Sequence, residues 1–256
     1  MCQLLGMNCN TPTDIVFSFT GFANRAGKTG IHTDGFGIAF FEGKGLRLFV
    51  DSQPALTSPV AVLIKNYPIQ SENVIAHIRK ATVGEVRLEN CHPFCRELWG
   101  RYWVFSHNGD LKNYAPRLHS HFRPVGSTDS ELAFCWIMQE LAKAHAGMPS
   151  IAELSNTLRE LAQVVSRYGT FNFMLSNGVA LWTHCTTSLF HLTRQFPFKS
   201  ARLQDEDMAV DFSQLTTRDD RVALIATEPL TTDEPWEPYS TGELKVFMKG
   251  EYLVDI

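Results

Sequence analysis

The chain has 256 residues, 44 % of them hydrophobic and 20 % charged, with a formal net charge of −4. That composition is that of a globular enzyme-sized domain and lacks the basic footprint that nonspecific nucleic-acid binding requires. The N-terminus MCQLLGMNCN has no basic start followed by an apolar run, and no segment approaches the roughly 18 apolar residues of a membrane span. The expectations are a cytoplasmic location, no membrane or nucleic-acid partner, and, with six cysteines in so long a chain, no disulfide framework.

In chain order, residues 2–7 predict a buried strand, and Ile15, Phe19 and Phe22 recur at helical spacing after Thr13. Segments 35–41 and 46–50, joined by Glu-Gly-Lys-Gly, predict a hairpin. A short helix is expected over 60–66, then core strands over 73–82 and 101–109. Two longer helices follow, one starting at Thr128 and one over about 150–167. Strand candidates return at 170–177, 179–184, 188–193, 221–227 and 243–254, and the polar stretch 197–220 reads as a surface excursion. Strands, a central helical pair and strands again predict an α+β fold of antiparallel sheets with helices on their outer faces, in one domain over 1–256.

Five places carry chemistry. Cys2 directly follows the initiator Met; removal of Met1 would leave an α-amine, titrating near 8, beside a thiol titrating near 8.5, so one residue could supply nucleophile and base. The bland alternative is a buried strand cysteine. Arg79, in His-Ile-Arg-Lys-Ala-Thr (77–82), ends an apolar strand where its fork suits a carboxylate, or a surface ion pair. Asn108 and Gly109 offer a side-chain amide and an approachable backbone N–H, together an oxyanion hole, although Asn-Gly is also a hairpin turn signal. Thr128 and Glu131 have capping-box spacing, which puts Asp129 in the first turn of a helix as an anchor for an ammonium. Cys91, His92 and Cys95 invite a zinc reading that their number does not satisfy, and His119 and His121 read as solvated loop residues. No cofactor motif is present and no metal is expected.

Taken in order, Cys2, Asp-Gly-Phe-Gly-Ile-Ala-Phe (34–40), the 77–82 motif, Asn-Cys-His-Pro-Phe (90–94), Ser-His-Asn-Gly-Asp-Leu (106–111) and Ser-Thr-Asp-Ser-Glu (127–131) resemble the class II glutamine amidotransferases. The segment 226–231 with Trp236 adds to the likeness, which is greatest to the stand-alone, YafJ-like bacterial members. The resemblance implies the four-layer α-β-β-α sandwich of N-terminal-nucleophile hydrolases, with Cys2 as nucleophile and its α-amine as base. It implies Asn108 and Gly109 as oxyanion donors, Arg79 and Asp129 on the substrate's α-carboxylate and α-ammonium, and His77, Thr82 and His92 lining or bracing the pocket. Two positions depart from the family pattern: Ile31 and His32 stand where many members have Arg-Gly, and Lys80 replaces an aromatic residue common in acceptor-coupled members. The implied activity is cleavage of the γ-carboxamide of glutamine or of a γ-glutamyl compound. It would serve either a separate synthase that receives ammonia or hydrolysis alone; the alternative is a non-catalytic or partner-dependent binding module on the same fold.

Overall fold

A computed structural model describes residues 2–119 and 121–254. The chain opens with β1 (Gln3–Thr13), α1 (Val16–Asn24), the hairpin β2 (Phe36–Glu42) and β3 (Gly45–Asp51), α2 (Pro59–Asn66) and β4 (Ser71–Ile78). It continues through β5 (Phe94–Leu98) and β6 (Arg101–Leu111) to the helical pair α3 (Asp129–Ala144) and α4 (Ile151–Ser166). Then come β7 (Gly169–Ser176), β8 (Leu181–Cys185), β9 (Phe190–Gln195), β10 (Ser200–Arg202), β11 (Ala209–Asp211), β12 (Arg221–Ala226), β13 (Glu237–Pro238), β14 (Glu243–Met248) and β15 (Glu251–Tyr252).

The strands form a seven-stranded sheet, β13-β9-β12-β1-β4-β2-β3, and a six-stranded sheet, β15-β14-β8-β7-β6-β5, with β10 and β11 as a separate ribbon. The described pairings within both are antiparallel. Period-2 alternation separates three buried layers. Odd-numbered β1 residues Leu5, Met7 and Cys9 pack with Phe19 and Phe22 of α1 and Ile64 of α2. Trp103 and Phe105 of β6 pack with α3 and α4 through residues such as Phe134 and Leu158. Between the sheets lie the opposite faces, with Leu4, Ile75, Val104, Met174 and Ile225. This is the α-β-β-α sandwich with antiparallel sheets that the sequence implied. Each fully buried Phe or Leu contributes about 2 kcal/mol of transfer free energy, which is why three such layers hold four modest helices in place.

The helix at 150–167 has a full capping box, Ser150 and Glu153 bonding each other's backbone N–H. The one expected at Thr128 is only half realised. Thr128 Oγ1 accepts from the Glu131 N–H, but the Glu131 carboxylate turns outward to the N–H groups of Val125 and Gly126 and to Arg96 Nη2 at 2.6 Å. With Glu131 only 2 % exposed, the charged partner on β5 outcompetes the local cap. Two further expectations change, and one alternative is settled. Residues 243–254 form two strands rather than one, because Lys249 and Gly250 both take positive φ and turn the chain. The excursion 197–220 contains the β10–β11 ribbon, anchored by the buried side chains of Ala201 and Leu203. Asn108-Gly109 is no turn but lies inside β6, opposite Asn172 and Phe171.

Candidate active site

Strand register brings the chemical residues to one end of the space between the sheets. Gln3 pairs with Ile78 and Leu4 with His77, so Cys2 stands beside the segment that leaves β4. Cys2 shares the parity of Leu4, His77 that of Ile75, and Asn108 that of Val104, so all three project into the inter-sheet layer. β5 pairs with β6 only as far as Phe94–Phe105. Beyond that point the described pairing of β6 is with β7 alone, and one edge of residues 106–109 is left open toward the site.

The Cys2 thiol donates to the Lys80 carbonyl at 3.4 Å and its sulfur accepts the Lys80 N–H at 3.3 Å. Burial pushes the thiol pKa up, and the Lys80 N–H bond opposes that shift. At neutral pH the sulfur is therefore protonated and needs a base to become a nucleophile. Residue 1 lies outside the described residues, so the α-amine expected from Met1 removal is not part of this geometry.

The segment after β4 is tied down by three polar residues. Asp34 accepts the Ala81 N–H at 2.8 Å and faces Lys80 Nζ at 3.6 Å. Arg79, only 2 % exposed, donates through Nη1 to the Glu85 carbonyl and through Nη2 to the carbonyls of Val83 and Gly84. Asn90 donates to Glu85 O and Ser127 Oγ and accepts the Ser127 N–H, so it clamps the 83–85 loop to the approach of α3. Asp129, in the first turn of α3, accepts the Leu111 N–H at 2.8 Å. Cys2, Arg79, Thr82, His92, Gly109 and Asp129 line one small cavity, of about 20 Å³.

His77 Nε2 lies 3.2 Å from the His107 carbonyl, and the His77 and His92 rings are 4.2 Å apart. His107 Nδ1 meets Ser130 Oγ at 2.8 Å. Within the chain, six buried polar atoms find no partner here: His77 Nδ1, both His92 ring nitrogens, Ser106 Oγ, and Nδ2 and Oδ1 of Asn108. Native proteins leave few such groups, so this concentration marks a place built to meet something other than the chain itself. Gly109 is required by close approach, since a Cβ there would collide with the Thr170 carbonyl and His107 Nε2.

Burial keeps these imidazoles neutral: the pKa of His77 is pushed down to about 3, and that of His92 falls well below the ordinary value. An unfolded His protonates near 6.5, so below that pH the unfolded chain takes protons that the folded chain refuses. The stability contributed by a neutral His77 is complete above pH 6.5 and is lost as pH falls toward 3. By pH 5 it has declined by about 2 kcal/mol. Denaturant unfolding at pH 7.5 and pH 5 checks this: the loss between the two is smaller by about that amount in His77→Asn, and an equal loss in both proteins would contradict it.

Sequence reasoning missed several positioning residues, because their partners lie far away in the chain. Arg25, 3 % exposed, bonds Asp205 Oδ2 (2.8 Å), Gln3 Oε1 (3.0 Å) and the carbonyls of Glu228 and Pro229. Thr227 Oγ1 accepts the Leu4 N–H at 2.9 Å, so segment 226–231 closes over the start of β1. Ile31 is 73 % exposed, and His32 Nδ1 lies 3.2 Å from the Arg25 carbonyl. Cys91 lies against Gly35, where a Cβ would stand 2.6 Å from its sulfur, whereas Cys95 packs at the inter-sheet core. His119 and His121 are exposed. Among the described residues no helix is long and apolar enough to cross a membrane.

The family model for class II glutamine amidotransferases matches residues 1–256. The chain belongs to the class II glutamine amidotransferases. A Haemophilus influenzae relative is 52 % identical over 257 residues, covering 100 % of this chain and 87 % of that protein. YafJ of Escherichia coli is 49 % identical, covering 99 % of this chain and 100 % of YafJ. The crystal structure of a predicted glutamine amidotransferase from Pseudomonas aeruginosa superposes with a TM-score of 0.80 at 42 % identity, covering 99 % of this chain and 100 % of that one. A glutamine PRPP amidotransferase from B. subtilis, at 12 % identity and TM-score 0.59, shares the fold alone; this chain spans 48 % of its length. The amidotransferase family thus accounts for both the order of the motifs and the sandwich that gathers them.

Proposed function

We propose that the protein is a cysteine N-terminal-nucleophile amidohydrolase that cleaves the γ-carboxamide of glutamine or of a γ-glutamyl compound through a thioester on Cys2. The observation that carries the reading is Asn108. Its side-chain amide is fully buried, lacks any partner within the chain, and projects from β6 into the inter-sheet layer that Cys2 enters from the facing sheet.

Once Met1 is removed, the α-amine of Cys2 takes the thiol proton that burial otherwise retains. The sulfur attacks the γ-carbonyl, and the Asn108 amide and Gly109 N–H stabilise the oxyanion. The α-amine returns the proton to the departing ammonia or amine, and water then hydrolyses the thioester. Asp129 holds the substrate's α-ammonium and Arg79 faces its α-carboxyl end. Thr82 lines the cleft, and the neutral rings of His77 and His92 brace it from below. The product is used in one of two ways: ammonia passes to a separate synthase, or hydrolysis is itself the purpose.

The test is the intact mass of the protein from its native host, combined with glutamate release from glutamine and a panel of γ-glutamyl amides. Loss of Met1 with glutamate release supports the reading; processed protein inert toward every amide overturns it in favour of a binding module. Asn108→Ala gives a sharper result. It lowers kcat by about 10²–10³-fold, as loss of one oxyanion donor does. Unfolding stability changes little, because the amide removed had no partner in the chain to lose. A large stability loss with activity intact would show that Asn108 is structural.

A further inference from the structure

A second cavity, of about 590 Å³, begins where the Cys2 cleft ends. The two share Val83, Thr128 and Asp129, but Cys2 lines only the small one. If the glutamyl unit spans from Cys2 at its side-chain carbonyl carbon to Asp129 at its α-ammonium, the large groove starts at the α-carbon end of the substrate. Anything it holds is attached there and not to the leaving group. Since Asp129 takes the ammonium, the attachment is through the α-carboxyl.

Arg79 leads to the same conclusion. Both end nitrogens of its fork already donate to the carbonyls of Val83, Gly84 and Glu85. A free carboxylate is best met by two parallel N–H groups, whereas a peptide carbonyl needs one. The groove is also furnished for more than an amino acid. Leu111, Ala115 and Leu132 form apolar walls, and Tyr114 carries a buried hydroxyl without a partner in the chain. Its volume falls in the range of small-molecule sites, whereas the cleft at Cys2 is much the smaller, about 20 Å³.

We propose, resting on the amidohydrolase reading, that the substrate class is peptides or peptide-like amides whose first residue is glutamine with a free α-amine. The C–N bond of the γ-carboxamide breaks as the Cys2 S–C bond forms, and ammonia leaves with the thiol proton. Water then adds to the thioester, its oxygen bonding to the acyl carbonyl carbon as the S–C bond breaks and the thiol regains a proton. The net reaction is amide plus water to carboxylate plus ammonium, with the peptide bond of the second residue intact.

The test uses the full chain with Met1 removed and compares free glutamine, Gln-Ala, Gln-Phe and N-acetyl-Gln-Ala. The peptide product is read by mass as Glu-Ala or Glu-Phe, because N-terminal glutamine also loses ammonia by spontaneous cyclisation. Gln-Phe is expected to exceed free glutamine in kcat/KM by at least about tenfold, the return on filling an apolar pocket, and the acetylated peptide to be inert. Ala115→Trp, a substitution at an exposed groove residue, is expected to lower the Gln-Phe to glutamine ratio by about tenfold. Turnover of glutamine without turnover of the dipeptides overturns this inference and leaves the amidohydrolase reading standing. Inertness toward all four substrates overturns both, and equal turnover of the acetylated peptide overturns the placement of the α-ammonium on Asp129.

Discussion

Cys2→Ala lowers the kcat for glutamate release by at least about 10⁴-fold, the scale on which removal of a covalent nucleophile acts. In the proposed mechanism the thiol forms the bond, and the hydroxyls of Thr82, Thr128 and Ser130, which also line the cleft, are far weaker nucleophiles than a thiolate. Within the cleft the other lining groups are Arg79, Thr82, His92, Gly109 and Asp129 with their neighbours. His92 is held neutral by burial and packed against His77, with the ring centroids 4.2 Å apart. Substrate binding is expected to survive, because the groups proposed to hold the α-ammonium and α-carboxyl ends, Asp129 and Arg79, are not touched by the substitution. Calorimetry of glutamine with the variant, alongside steady-state kinetics, separates the two effects. Retention of more than about a tenth of the activity would remove Cys2 from the mechanism.

Arg25→Met costs about 3–5 kcal/mol of folding stability. The guanidinium and its partner Asp205 have side chains only 4 % and 9 % exposed, so truncation strands a buried carboxylate. Gln3 Oε1 and the carbonyls of Glu228 and Pro229 lose donors at the same time. Urea unfolding at neutral pH reads the loss as a lower midpoint at unchanged slope. The double variant Arg25→Met with Asp205→Leu recovers part of it, since no charge is then left unpaired. If the double variant is the sum of the two singles, the pair is not coupled and this account of it fails. The consequence reaches the chemistry, because Gln3 adjoins Cys2 and its side chain is one of the groups Arg25 holds.

The two results illustrate different kinds of information in the chain. Cys2, Asn108, Gly109 and Asp129 could be picked out as candidates from residue type and order, because the proposed nucleophile, oxyanion donors and ammonium anchor must each be chemically what they are wherever they sit. Ile15, Phe19 and Phe22 announced a helix because burying one face imposes its period on the sequence, and all three are buried. Asn108-Gly109 was ambiguous for the opposite reason. The same dipeptide makes a turn or a donor pair, and only pairing with β7 decided that it lies within a strand.

The sequence by itself therefore determined the family, the layered antiparallel sandwich and the reactive residue types, all of which are written in local periodicity and in the order of short motifs. Tertiary structure decided which of those residues face one another. Parity along β1, β4 and β6 turned Cys2, His77 and Asn108 into one layer, and Asp205 came back across 180 positions to meet Arg25. It also decided how Arg79 is employed, since the 83–85 loop folds its carbonyls onto the guanidinium. It diverted Glu131 from its own helix cap to Arg96. These outcomes depend on burial and on distant charge partners, whose strength is set by desolvation after the chain has folded, and no local pattern of residues encodes that.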